Sequence, residues 1–219
     1  MAKKVGVVLS GCGVYDGTEI HEAVITMLAL DRHGAEMVLC APDRDQLHVV
    51  NHLTGKVADG ERRNVLVESA RIARGAVRDV AQVSADELDA LILPGGFGAA
   101  KNLCDFAVKG PDCEVDPGVA RLVREVHGQG KPVGAVCIAP ALLAKVLGDE
   151  GPELTIGTDP GTAGALEKLG ARHVACSVAE AVVDRERKLV TSPAYMLAGR
   201  ISEAADGIEK TVAELLKMA

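Results

Sequence analysis

Short aliphatic runs recur along this chain with amphipathic stretches between them, and that alternation constrains the fold more than any other feature. Val5–Leu9, Met37–Ala41, Ala90–Leu93, Val133–Val136, Thr155–Ile156, Val182–Val183 and Leu189–Thr191 are candidate strands. Such runs, spaced by helical periodicity, fit βα units winding a parallel sheet with helices over both faces. The expected class is therefore α/β, a doubly wound, mostly parallel sheet flanked by helices, in one domain over residues 1–219. In the first helical stretch Ile20, Ala23, Val24, Met27 and Leu28 recur at i, i+3, i+4, i+7 and i+8, which predicts one apolar stripe facing the sheet. His33-Gly34 closes that helix. Asp116-Pro117 and Asp159-Pro160 each place a capping carboxylate before a proline suited to the first helical position, and Ser84-x-x-Glu87 reads as a capping box. The last helix carries Ile201, Ala204, Ala205, Ile208, Val212, Leu215 and Leu216 as its apolar stripe. Residues 43–61 read as a short hairpin or an extended loop.

Composition removes several classes of function. The chain is 48% hydrophobic and 25% charged, a globular balance, and no segment approaches the ~18 consecutive apolar residues of a membrane span. The apolar run from Val5 ends before Gly11, too early for the core of a signal peptide. Six cysteines are scattered without a C-x-x-C pair, which fits reduced thiols in the cytoplasm better than a disulfide framework. A net charge of −7 with two Phe and two Tyr lacks both the basic footprint and the stacking platforms of a nucleic-acid binder. The expected partner is a small substrate or another protein, with no membrane.

Ligands of open parallel sheets bind beyond the carboxyl ends of the strands, so the residues just after each strand matter most. Val133–Val136 runs into a helix beginning at Pro140, which leaves Cys137 in the turn itself. Ala135 and Ala139 supply the small residues two positions either side that a nucleophile elbow needs for close backbone crossing. The following helix N-terminus favours thiolate over thiol at Cys137. The plainer alternative is a small buried hydrophobe. After Leu93, Gly95 and Gly96 can aim backbone N–H groups at a developing oxyanion, with the Ile138 N–H as a second donor. Glu19 and Glu22, at the start of the first helix, are both candidate proton carriers, and the pattern does not choose between them. Gly11-x-Gly13 and Gly96-x-Gly98 lack the third glycine of a dinucleotide fingerprint. His48 and His52 have no third ligand nearby, so no metal is expected.

The segments Gly6–Gly17, Asn51–Gly55, Pro94–Asn102 and Ser192–Met196 resemble the ThiJ/PfpI superfamily, relatives of class I glutamine amidotransferase domains, and within it the isoprenoid-biosynthesis glyoxalases. The resemblance spans nearly the whole chain and implies the same flavodoxin-like fold. Superfamily members with glyoxalase or deglycase activity pair the elbow cysteine with a glutamate on the first helix. Counting twelve residues back from Gly34 lands on Glu22, and Glu22-Ala23-Val24-Ile25 matches that pattern better than Glu19 does. The implied function is conversion of glyoxal or methylglyoxal to glycolate or lactate through a cysteine hemithioacetal, with no cofactor, in a homodimer. One departure stands out. Relatives carry a histidine after the next strand, where this chain has Asp159, a residue that its capping position already explains; without that histidine, glutamine hydrolysis is not expected. The alternative function is a redox or electrophile sensor, in which Cys12 serves as a resolving thiol.

Overall fold

A computed structural model describes residues 2–219. Along the chain come β1 (Lys4–Val8), α1 (Ile20–Arg32), β2 (Glu36–Ala41), a hairpin of β3 (Val50–Asn51) and β4 (Lys56–Val57), α2 (Val65–Ile72), β5 (Arg78–Asp79) and β6 (Ala90–Leu93). Then follow α3 (Phe97–Lys101), α4 (Phe106–Lys109), α5 (Pro117–Gly128), β7 (Val133–Val136), α6 (Pro140–Leu147), β8 (Glu153–Leu154), α7 (Pro160–Lys168), β9 (Arg172–His173), β10 (Val182–Asp184), β11 (Leu189–Ser192) and α8 (Ile201–Met218).

Seven strands form one sheet in the order β10-β11-β7-β6-β1-β2-β5, parallel except for the edge strand β10. The expected doubly wound α/β sheet is what the chain builds. Strand order reverses between β1 and β6, and at such a switch point the loops leaving the two strands diverge and open a crevice. The apolar strands supply the centre of the core, with Val5, Val7, Leu91, Ile92, Leu93, Val133 and Leu189 each fully enclosed. The three anticipated caps are present. Asp116 accepts from the N–H groups of Gly118 and Val119, Asp159 from Thr162, and Ser84 and Glu87 make a reciprocal box on a 3₁₀ turn. Residues 43–61 contain the hairpin rather than only a loop.

Two expectations are corrected. Thr155–Ile156 is not a strand: β8 ends at Leu154 and pairs with β9 in a separate two-stranded sheet, while the Thr155 N–H donates to Thr191 Oγ1. Of the apolar stripe expected to face the sheet on α1, Ala23 does so and Met27 is half-buried, but the rest points outward. Ile20, Val24 and Leu28 are 41%, 46% and 42% exposed, whereas Glu22, Ala23, Thr26, Ala29 and Leu30 are buried. Small side chains on the inner face let α1 lie close against the sheet and α8, and the same rotation carries Glu22 inward.

Candidate active site

The site is assembled where β1, β6, β7 and β11 end. Cys137 follows β7 directly and has φ of +61°, the left-handed region that non-glycine residues occupy at a cost of about 1–3 kcal/mol. Its N–H donates to Ser192 O on neighbouring β11 at 2.9 Å, which holds the strained residue in register. Ala135 and Ala139 are both buried, as the close crossing of strand and helix requires. The nucleophile elbow read from the sequence is present in the backbone.

Glu22 reaches the same point from the first turn of α1. The start of that helix is pinned to the β6 turn, since the Glu19 N–H donates to Gly95 O at 3.0 Å and the Glu19 carboxylate accepts from the Glu22 N–H at 2.7 Å. Glu22 is wholly buried. Its Oε2 accepts from the Gly95 N–H at 2.9 Å, its Oε1 from the Tyr195 N–H at 3.1 Å, and the carboxyl is hydrogen-bonded to the Cys137 side chain. Burial pushes the Glu22 carboxyl from 4.5 up to about 7, with the nearby Glu19 charge adding to the rise and the Tyr195, Cys137 and Gly95 contacts opposing it. A carboxyl poised there is suited to move protons at neutral pH.

Burial, and then the Glu22 charge, hold the Cys137 thiol well above its ordinary 9.0, while the N–H groups of Gly96 and Ile138 directed at the sulfur pull the other way. The expectation of a thiolate favoured outright by the helix N-terminus is therefore corrected. Desolvation outweighs the partial charge of α6, and ionisation of the sulfur depends on its carboxyl neighbour. Once Glu22 has lost its proton, its charge opposes a second charge on the sulfur, so the sulfur ionises by handing its proton to the carboxylate.

The glycine turn divides into two tasks. Gly96 and Ile138 present the N–H groups at the sulfur, as an oxyanion pair would require, but Gly95 does not, because Glu22 occupies its N–H. Gly95 has a steric role instead. A Cβ at this position would lie 2.7 Å from Glu22 Oε2 and 3.0 Å from Cys137 Sγ, so only glycine leaves the pair in contact. Gly96 has φ of +91°, and a Cβ there would fall 2.6 Å from Gly17 O.

Cys137 is only 7% exposed, yet it borders a cavity of about 500 Å³ whose walls include Phe97, Phe106, Ile138, Tyr195 and Met196. Glu19 also lines it, but its carboxylate is committed to capping α1. Of the two accessory positions, Cys12 does not join the site and Asp159 is the helix cap that its sequence position indicated. Cys12 lies beside Glu68, Arg71, Asp16 and Arg63, does not line the cavity, and has its thiol pushed up by burial. Asp159 is exposed and caps α7 through Thr162, whose N–H holds its carboxyl below the usual range. His52 bonds backbone at Val50 and Tyr15, and among the described residues no group of three or more His, Cys, Asp or Glu is placed to hold a metal.

Two further residues, Tyr195 and His21, join the site without a signal in the chemistry of the sequence motifs. Tyr195 caps Glu22 with its N–H, and its hydroxyl meets His21 Nδ1 at 2.8 Å. The position of Ser192–Met196 just after β11 was the available signal for Tyr195. Nothing local marks His21.

An elbow cysteine facing a first-helix glutamate on this sheet defines a class, and comparison with known proteins agrees: residues 11–198 match the DJ-1/PfpI family, and the chain belongs to it. Among its relatives, the human mitochondrial glutamine amidotransferase-like class 1 domain-containing protein 3 is 50% identical over 99% of this chain and 84% of that protein. A solved isoprenoid biosynthesis protein with an amidotransferase-like domain from Ehrlichia chaffeensis superposes with a TM-score of 0.91 at 37% identity, covering 99% of this chain and 100% of that one. Drosophila melanogaster DJ-1beta shares the fold alone, with a TM-score of 0.58 at 20% identity over 100% of this chain and 96% of its own.

Proposed function

We propose that the protein is a cofactor-independent glyoxalase of the isoprenoid-biosynthesis type, turning glyoxal or methylglyoxal into the 2-hydroxy acid. The observation that carries this reading is the contact between a buried carboxyl poised near 7 and the sulfur of a strained elbow cysteine at a cavity wall. Glu22 takes the Cys137 proton as sulfur adds to one carbonyl, giving a hemithioacetal. The Gly96 and Ile138 N–H groups, already turned toward the sulfur, lie where the new oxyanion forms. Glu22 returns that proton to the oxyanion, and, ionised again, removes the proton from the attacked carbon and delivers it to the neighbouring one through an enediol, while the hydroxyl proton passes from the first oxygen to the second, leaving a thioester. Water releases glycolate from glyoxal, or lactate from methylglyoxal, and the net change is addition of one water.

Cys137→Ser and Glu22→Gln assayed on glyoxal test this. Loss of turnover in both is expected, by ~10²–10⁴-fold for the glutamate, and unchanged turnover in both removes the mechanism. The same reading includes a homodimer, for which the uncovered stripe Ile20, Val24 and Leu28 on α1 offers an apolar face.

A further inference from the structure

A second pair of nucleophilic side chains lies outside the site, at the neck of the segment that carries α4. Cys104 pairs with Val115 in an isolated antiparallel bridge, and the neck is fastened further by Asp105 N–H to Glu114 O at 3.1 Å and Asp116 N–H to Leu103 O at 2.8 Å. Side chains alternate across such a ladder, so Cys113, two residues before Val115, falls on the same face as Cys104 and diagonal to it. The two thiols are close enough that each shifts the other's ionisation, and both are free. We propose that Cys104 and Cys113 form a reversible dithiol–disulfide site, oxidised by small hydroperoxides, whose crosslink ties off the segment supplying Phe106 and Ala107 to the cavity wall.

The two sulfurs are unequal. The Cys104 contact draws the Cys113 thiol down against the effect of burial, with Lys145 helping, whereas the same contact and burial push Cys104 up. Cys113 is thus the attacking sulfur. It displaces the far oxygen of the hydroperoxide: an S–O bond forms, the O–O bond breaks, and the alcohol or water leaves with a proton, giving a sulfenic acid. Cys104 then attacks that sulfur; the S–S bond forms, the S–O bond breaks, and hydroxide departs as water with the Cys104 proton. Two thiols give up two electrons in all, and an external dithiol returns them. Cys113 is 1% exposed, but Asp112 and Glu114 beside it and Ala107–Lys109 of the covering segment are at the surface, so a short local opening admits a small oxidant.

The test treats the full-length protein with an equimolar amount of hydrogen peroxide, blocks free thiols with N-ethylmaleimide and digests with trypsin without reductant. Cleavage after Lys101, Lys109 and Arg121 separates the two cysteines into peptides 102–109 and 110–121. The expected result is a linked pair of these peptides, two hydrogens lighter than their sum, that disappears with dithiothreitol and still forms in Cys137→Ser. Maleimide on both cysteines, or sulfinic acid at Cys113 with Cys104 capped, overturns the proposal. The wild-type digest decides without relying on how Cys104→Ser or Cys113→Ser folds, and the result is independent of glyoxal turnover.

Discussion

Replacing Glu22 with glutamine separates two physical roles that predict opposite signs. If the carboxyl acts on Cys137 only as a buried negative charge, its removal relieves the thiol and alkylation of the sulfur accelerates. If it accepts the thiol proton, its removal strands that proton on sulfur and alkylation slows. The structure supports the second, because sulfur and carboxyl are in direct contact and the carboxyl loses its proton at about 7. In the native protein the Glu22 carboxyl is ionised, and so able to take the thiol proton, in about half the molecules at pH 7, and the Gly96 and Ile138 N–H groups favour negative charge on sulfur as an electrophile approaches. A side chain placed to take the proton is typically worth ~10²–10⁴-fold, so the variant, whose buried thiol must ionise unaided, should react at least about 10²-fold more slowly. The assay is the pH dependence of iodoacetamide addition at Cys137, located by peptide mass spectrometry. The native profile should rise through about 7 and the variant's should move to higher pH. A variant alkylated as fast as the native protein, or faster, refutes the proton-acceptor role. Circular dichroism accompanies the measurement, because glutamine turns an NH₂ toward one of the two backbone N–H donors and costs about 1–3 kcal/mol.

Other consequences follow from the same contacts. Because the folded carboxyl of Glu22 is raised from 4.5 to about 7, its contribution to stability is present in full below 4.5 and lost as pH rises through 7, by about 3 kcal/mol, whereas Glu22→Gln should lack that slope in urea titrations across the window. Gly95→Ala should separate Glu22 from Cys137 and lower kcat on glyoxal by at least tenfold with secondary structure retained; full activity would show that the close approach is dispensable. Val24→Asp on the exposed face of α1 should leave circular dichroism unchanged and convert a dimer to a monomer by light scattering, and an unaltered dimer would place the interface elsewhere.

Strand-by-strand, the sheet was legible because its central strands are buried on both faces and read as unbroken aliphatic runs, and because Asp116, Asp159 and Ser84 announce helix starts through local chemistry. Cys137 was legible for the same reason: a strand and a proline-led helix left it only the turn. The face of α1 was not. Apolar periodicity locates a stripe but not what covers it, and here the inner face is set by small residues and by the demand that Glu22 meet Cys137. Gly95 and Gly96 look alike in sequence, yet one N–H is spent on a carboxylate from another element 73 residues away. Tyr195 escaped because its backbone, rather than its side chain, holds Glu22.

The account turns on Glu22 carrying a proton from one carbon of the substrate to the other, and isotope incorporation reads that step directly. Glyoxal turned over in D₂O should give glycolate bearing deuterium at C2, visible by NMR over many equivalents of product per protein. Glycolate formed with C2 wholly protiated would mean a direct hydride shift with no carboxyl relay, and a single equivalent of adduct on Cys137 with no glycolate would mean that the sulfur senses the dicarbonyl without turning it over.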